Sequence, residues 1–80
     1  MKTISLIGST GSIGKQTLDV CRKHNIKVKA LAALKNVDLL EQQTREFLPE
    51  YVCIYDNALY KELRERLSDM SVTILIVFLN

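Results

Sequence analysis

Apolar residues recur along this chain with two periods that replace each other in a regular order. Strand-like apolar runs occupy residues 3–7, 26–32, 51–55 and 72–79. Between them, apolar residues recur every three or four positions, as on one face of a helix, first over residues 12–24. This βαβαβαβ order predicts an α/β fold: a three-layer Rossmann-like half-domain with a parallel sheet and right-handed crossovers. We expect the second and third strands to lie to one side of the first.

The predicted helices have recognisable beginnings and ends. Asn25 suits the left-handed residue that ends the first helix. Asn36 is a good N-cap for the second helix, and Pro49 stops it. Asp56 or Asn57 can cap the third helix. These signals predict three helices of ordinary length, each enclosed by strands.

The spacing also predicts which apolar residues share one face of each element. In the second strand, the alternation sets lysines on the opposite face. The residues predicted to share a face are Ile13, Thr17, Val20, Cys21 and His24 in the first helix, Ile26, Val28, Ala30 and Ala32 in the second strand, Val37, Leu40, Thr44, Phe47 and Leu48 in the second helix, and Leu59, Leu63, Leu67 and Met70 in the third helix.

The composition is typical of one soluble globular domain and argues against two classes of partner. The chain has 80 residues, of which 48 % are hydrophobic and 25 % charged. Its net charge of +2 is too small to indicate nucleic-acid binding, and the final apolar run is too short to span a bilayer.

Cys21 and Cys53 lack metal-like spacing and fit reduced thiols. With no room for a signal peptide before the first strand, we expect a cytoplasmic protein.

A glycine-rich segment, GSTGSIGK, joins the first strand to the first helix at residues 8–15. A mononucleotide-binding loop, G-x-x-x-x-G-K-[ST], would need a glycine where Ser9 stands and a hydroxyl where Gln16 stands. An amide is a poor substitute for the hydroxyl that binds magnesium. Lys15 is therefore predicted to be a solvent-facing helix residue.

The same segment fits a variant of the dinucleotide-binding loop. Gly8, Gly11 and Gly14 read G-x-x-G-x-x-G between a strand and a helix. The first glycine permits a sharp exit from the strand, the second lets the backbone approach phosphates, and the third lets helix and strand pack closely. Thr10 and Ser12 can donate hydrogen bonds to phosphate oxygens. We interpret the loop as a pyrophosphate site at a helix N-terminus.

The end of the second strand indicates which dinucleotide is bound. An NAD site places Asp or Glu there to bind the ribose hydroxyls, but this chain has no acid before Asp38. Lys35 and Asn36 instead offer a cation and an amide. That pair suits the 2′-phosphate of NADP.

The segments GSTGSIGKQTLDVCRKH, VKALAALKNVDLL and PEYV together resemble the 1-deoxy-D-xylulose 5-phosphate reductoisomerase family. The resemblance implies an NADPH-dependent enzyme of non-mevalonate isoprenoid synthesis. Such an enzyme isomerises and reduces its sugar phosphate to 2-C-methyl-D-erythritol 4-phosphate. It also implies a divalent metal, magnesium or manganese, and a homodimer.

The resemblance assigns cofactor-binding roles to two short segments. The family has a glycine where Leu34 stands, and a left-handed turn at a leucine would be strained. By resemblance, the residues that hold NADPH are Thr10, Gly11, Ser12 and Ile13 on its pyrophosphate and adenosine side, and Leu34 (through its backbone), Lys35 and Asn36 at its 2′-phosphate.

The resemblance covers only part of a family member. Residues 1–80 would be the N-terminal part of the NADPH-binding domain, and the absence of likeness after residue 70 leaves open that residues 71–80 are foreign to the fold. The metal ligands, the nicotinamide-proximal segment and the sugar-phosphate site would lie elsewhere. We therefore expect this segment to bind no metal, to have no catalytic residues and to be inactive alone. Its final apolar strand could support self-association.

Two other interpretations stay open at this point. The chain could come from another G-x-x-G-x-x-G dehydrogenase or epimerase, although no tyrosine here is followed four residues later by the lysine which those enzymes need. It could also be a non-catalytic nucleotide-binding or interaction module. Nucleotide titration would separate an enzyme segment from a module that only interacts with proteins.

Overall fold

The computed structural model describes residues 2–76, which form four parallel strands alternating with three helices. The strands lie in the order β1-β2-β3-β4. This arrangement confirms the predicted α/β fold class and places the second and third strands to one side of the first. Residues 77–79 of the predicted final strand lie outside the described residues. The elements are β1 (Thr3–Ile7), α1 (Ser12–His24), β2 (Lys27–Ala33), α2 (Val37–Phe47), β3 (Tyr51–Ile54), α3 (Asn57–Arg66) and β4 (Thr73–Ile76).

All three helices pack around a single core on one face of the sheet. Each strand is added on the same side of its predecessor, so crossovers of one hand bring successive helices to the same face. Within residues 2–76 the helices form one layer and the sheet another, and the third layer of the predicted architecture is not among these residues. The buried core consists of Leu18, Cys21, Val28, Leu31, Ala33, Val37, Leu40, Val52, Ile54, Leu63 and Leu67.

An irregularity in β2 overturns the predicted alternation of that strand. Val28 pairs with Ile4, but the next residue of β1 pairs with Ala30. Lys29 is skipped, and the residues after it change faces, as at a β-bulge. The prediction that alternate residues from Ile26 to Ala32 share one face is therefore wrong. The core residues of β2 are Val28, Leu31 and Ala33.

The inward face of α1 also differs from the prediction. Ile13 is 79 % exposed and Val20 is 49 % exposed, so neither belongs to the core. The helix buries Gly14, Leu18 and Cys21 instead. Gly14 faces the loop that precedes the helix, and this close approach fixes the rotation of α1 about its axis.

The predicted helix beginnings and the first helix end are confirmed. Asn25 ends α1 in the left-handed conformation, with φ of 53°. The side chain of Asn36 caps α2 by accepting a hydrogen bond from the N–H of Leu39. Asp56 caps α3 by accepting from two backbone N–H groups of its first turn.

Pro49 follows the end of α2 as predicted, but the residues at the ends of α2 and α3 differ from the predicted inward faces. Leu48 is the left-handed residue that ends α2 before Pro49, and its side chain is 66 % exposed rather than on the inward face. The third helix ends at Arg66, so Leu67 and Met70 contact the core from the turns that follow α3. A left-handed C-cap points a leucine away from the helix face that the periodicity predicts.

Arginines link the three helices on their solvent side. Arg22 of α1 donates two hydrogen bonds to the carboxylate of Glu46 in α2 and lies 5.3 Å from the ring centroid of Phe47. Arg66 of α3 donates to Asp38 of α2 at 2.5 Å. These pairs give Arg22 and Arg66 a structural role in holding α1 and α3 against α2.

Replacing Glu46 with glutamine should lower stability slightly at pH 7, and the loss should shrink as the pH falls below 4.5. Hydrogen bonds from Arg22 lower the pKa of the Glu46 carboxyl below its ordinary value of 4.5. A carboxyl with a lowered pKa in the folded state stabilises the fold above its unfolded pKa, and that contribution disappears as the pH falls through the folded value. Urea unfolding at several pH values measures the difference.

The matched control is Glu65→Gln, which changes an exposed glutamate in α3. It should show a smaller pH-dependent difference from the unsubstituted chain. Equal behaviour of the two variants at every pH would contradict a stabilising role for the Arg22–Glu46 pair.

Candidate cofactor-binding site

The loop between β1 and α1 is closed by backbone hydrogen bonds. Gly8 has a φ of +76°, which glycine adopts without strain. The N–H groups of Gly8 and Ser9 donate to the carbonyl of Ala32 at 2.8 and 3.0 Å, and the N–H of Gly11 donates to the carbonyl of Gly8 at 3.1 Å. The loop is thus held both to itself and to the end of β2.

The first turn of α1 packs directly on this loop at Gly14. A Cβ built on Gly14 would lie 2.2 Å from the carbonyl oxygen of Gly8 and 2.7 Å from the Cα of Ser9. The prediction that this glycine permits close packing of helix and strand is confirmed. At Gly11, by contrast, a Cβ would meet only the Gly8 carbonyl oxygen, at 3.5 Å. The predicted role of Gly11 in phosphate approach stays a prediction.

The N-terminus of α1 has no side-chain cap. Its N-cap residue is Gly11, and the first turn contains no acidic residue. The other two helices are capped by the side chains of Asn36 and Asp56. The unpaired N–H groups and the positive end of the α1 dipole are therefore available to an anion.

The residues predicted to hold pyrophosphate surround this helix end. Thr10 is half-buried in the turn before α1, whereas Gly11, Ser12 and Ile13 are exposed. The exposure of Ile13, which periodicity placed in the core, is what a residue in contact with a ligand would require. The four residues form one continuous segment along the edge of the sheet.

The second predicted segment, residues 34–36, directly follows β2 and leads into α2. All three residues are exposed. Asn36 uses its side-chain oxygen for the helix cap, at 3.2 Å from the N–H of Leu39, so its NH₂ group is left as a donor. Among the described non-glycine residues, only Asn25 and Leu48 have positive φ, so Leu34 is free of the strain that a left-handed turn would impose.

The topology brings the two segments to the same edge of the sheet. Parallel strands have their carboxyl ends at one edge, and β1 and β2 are neighbours. A cavity of about 220 Å³ opens there between the ends of the first three strands. The sequence pattern did not indicate two of its lining residues, Ile7 and Tyr55, each of which lies at or just after the end of a strand. The lining residues are Ile7, Gly8, Ala32, Ala33, Leu34 and Tyr55.

The glycine loop also has a partner on α2 that sequence reasoning missed. The side-chain NH₂ of Gln43 donates a hydrogen bond to the carbonyl of Ser9 at 2.8 Å, and both residues are buried. The predicted inward face of α2 includes Leu40 and Thr44 but omits the glutamine between them. The only sequence signal for the contact is a polar residue, Gln43, beside the predicted inward face of α2.

The described residues hold no group of three or more His, Cys, Asp or Glu side chains that could bind a metal. Burial raises the pKa of the Cys21 and Cys53 thiols, which keeps both protonated at neutral pH and unsuited to nucleophilic attack. Over residues 2–76, no helix is both long and apolar enough to cross a membrane.

Comparison with known proteins identifies the family. The family model described as 1-deoxy-D-xylulose 5-phosphate reductoisomerase matches residues 4–78. The chain belongs to this family. It is 56 % identical over 75 residues to the reductoisomerase of Lachnoclostridium phytofermentans, covering 92 % of this chain and 19 % of the relative. It is 62 % identical over 66 residues to that of Acetivibrio thermocellus, covering 82 % of this chain and 17 % of the relative.

Solved reductoisomerase structures share the fold. The Zymomonas mobilis enzyme in complex with NADPH superimposes with a TM-score of 0.87 at 34 % identity, over 94 % of this chain and 20 % of that enzyme. A reductoisomerase in complex with NADPH, fosmidomycin and magnesium gives a TM-score of 0.90 at 30 % identity, over 96 % of this chain and 20 % of that one. The chain thus spans about one-fifth of the length of the reductoisomerases that it matches.

Gly14→Ala should destabilise this reductoisomerase chain by about 1–3 kcal/mol, as overpacking typically does. The added methyl group would collide with the backbone of Gly8 and Ser9, which cannot rotate away as a side chain could. The free energy of unfolding should fall even though alanine has a higher helix propensity than glycine. Urea unfolding measures the free energy.

Gly11→Ala is the control, because the same methyl group finds ordinary contact distances there. It should unfold close to the unsubstituted midpoint. If Gly14→Ala proved as stable as Gly11→Ala, the close approach of α1 to the loop would not constrain the fold.

Proposed function

We propose that this chain is the NADPH-binding segment of a 1-deoxy-D-xylulose 5-phosphate reductoisomerase. In the whole enzyme, the bound NADPH would supply the hydride for reduction to 2-C-methyl-D-erythritol 4-phosphate. The observation that carries the proposal is the uncapped N-terminus of α1 behind a glycine loop. The likeness to the Zymomonas mobilis enzyme in complex with NADPH supports it.

The first half of the proposed site binds the pyrophosphate. The backbone N–H groups at the start of α1 would donate to phosphate oxygens, and the hydroxyls of Thr10 and Ser12 would add further donors. Gly11 has room beside it because it has no side chain, and Ile13 would lie along the adenosine side. The fit rests on orphan donors that the other two helices satisfy internally.

The second half binds the 2′-phosphate. Lys35 is exposed and supplies a positive charge, and Asn36 keeps its NH₂ group as a donor while its oxygen caps α2. Leu34 would contribute its backbone. No carboxylate occupies residues 33–36 to repel a phosphate. This chemistry favours NADPH over NADH.

The remaining parts of the enzyme belong to the rest of a full-length reductoisomerase. We assign the divalent metal and the sugar phosphate to residues outside the described segment, which offers no ligand cluster. We treat residues 1–80 as the N-terminal part of the NADPH-binding domain, acting in the bacterial cytoplasm within a homodimer. Self-association of the segment itself would use the sheet face opposite the helices, where Ile7, Tyr51 and Leu75 are 79 %, 41 % and 47 % exposed.

Lys35→Ala should reduce the preference for NADPH over NADH by roughly ten- to a hundredfold. A hydrogen bond to a charged group contributes about 1.5–3 kcal/mol, and only NADPH has the 2′-phosphate to receive it. The measurement is calorimetric titration of the chain with each cofactor. Failure of the unsubstituted chain to bind NADPH would contradict the proposed function itself.

The control variant is Lys23→Ala, which removes an exposed lysine in the last turn of α1. That turn lies at the opposite edge of the sheet from the cofactor, so the preference should not change. An unchanged preference in Lys35→Ala as well would assign the 2′-phosphate to other residues.

The chain alone should catalyse no reduction of the sugar phosphate. Hydride transfer requires the nicotinamide and the carbonyl within about 3–3.5 Å of each other, together with an acid or metal. The segment would hold only the adenosine and pyrophosphate half of that arrangement. The assay mixes the chain with NADPH, magnesium or manganese, and the sugar phosphate. Substrate-dependent oxidation of NADPH above the protein-free control would show that the segment contains catalytic groups.

A further inference from the structure

Gln43 is a buried polar residue that joins α2 to the glycine loop. Its side chain is 6 % exposed, and its Nε2 donates to the carbonyl of Ser9 at 2.8 Å across 34 positions of sequence. Ser9 itself is fully buried. The contact therefore lies in the protein interior, between α2 and the glycine loop.

Packing alone does not explain why a polar side chain occupies position 43. The Oε1 atom of Gln43 and the hydroxyl of Ser9 are both buried without a hydrogen-bond partner in the described part of the chain. Leaving buried polar atoms unpaired is unfavourable, and an apolar side chain at position 43 would avoid part of that penalty. The benefit of the glutamine is thus directional: it fixes where one carbonyl lies.

Fixing that carbonyl fixes the rest of the loop. The N–H of Ser9 donates to the carbonyl of Ala32 in β2, while its own carbonyl accepts from Gln43 in α2. The residue is held from two directions by two different elements. The next residues of the loop lead directly into the uncapped N–H groups of α1, so their orientation depends on this anchor.

Gln43 also lies on the same helix as the second half of the proposed site. It follows Asn36, the N-cap of α2, by about two helical turns. A helix of this length is rigid, so the bond from Gln43 to Ser9 sets the distance between the glycine loop and residues 35–36.

We propose that Gln43 is a positioning residue for the dinucleotide, which holds the pyrophosphate loop at a fixed separation from the 2′-phosphate segment. The inference rests on the proposed binding of NADPH. Gln43 touches no cofactor atom, and its effect passes through the backbone of Ser9. The expected consequence is that losing its donor weakens binding of both halves of the dinucleotide.

The test compares Gln43→Met with Gln42→Met. Methionine has nearly the length of glutamine but cannot donate, and the neighbouring Gln42 is exposed on the same helix. Calorimetric titration with NADPH should show affinity reduced at least about tenfold for Gln43→Met and unchanged for Gln42→Met. The thermal midpoint, measured on the same samples, should fall only slightly, so that the loss of affinity is not explained by unfolding.

Amide hydrogen exchange without cofactor gives the second measurement. In Gln43→Met, exchange at the hydrogen-bonded amides of Ser9 and Gly11 should accelerate at least about tenfold, while the amides of β2 and β3 keep their protection. A merely structural role would instead raise exchange throughout the core. Unchanged loop exchange together with unchanged affinity would overturn the proposal.

Two further outcomes are also decisive. If the unsubstituted chain does not bind NADPH, the proposed function fails, and loop exchange alone then decides whether Gln43 positions the loop. If Gln43→Met does not fold, Gln43→Leu replaces it, since leucine also lacks a hydrogen-bond donor and is close to glutamine in volume. If neither variant folds while Gln42→Met does, Gln43 is required for folding and the positioning proposal is overturned.

Discussion

The absence of a Cβ at Gly14 is the constraint on which the rest of this structure depends. Any side chain there would overlap the carbonyl oxygen of Gly8, 2.2 Å from the built Cβ. With the hydrogen atom of glycine, α1 can begin against the loop that leaves β1. That approach sets the rotation of α1, which buries Leu18 and Cys21 and leaves Ile13 exposed at the edge of the sheet. The core and the candidate site thus follow from one backbone contact.

Local signals in the sequence were sufficient to predict the order of the elements and most of their ends. Asn25, Asn36 and Asp56 occupy the caps that their side chains and backbone preferences indicate. Parallel topology followed from the alternation of strands and helices, because short crossovers leave few alternatives. The predicted segments of the candidate site also occur together, since each comes directly after a strand of one parallel sheet.

Long-range contacts could not be predicted in the same way. Lys29 is left out of the pairing between β2 and β1 because of how the two strands align. The periodicity within β2 carries no information about that alignment. The face that α1 buries depends on Gly14 meeting the loop, which outweighs the apolar character of Ile13 and Val20. Gln43 was missed because a buried amide is uncommon on an inward face, and its partner lies 34 residues away.

The proposed site separates affinity from discrimination. A helix N-terminus and backbone N–H groups attract any phosphate, so the loop after β1 would bind the pyrophosphate that NADPH and NADH share. Only the segment after β2, with Lys35 and Asn36, would meet the 2′-phosphate by which the two cofactors differ. The two functions lie on different elements, and a dinucleotide of fixed length binds both only if their separation is fixed. On this proposal, the contacts of the loop with Ala32 and Gln43 would support recognition together with the residues that face the ligand.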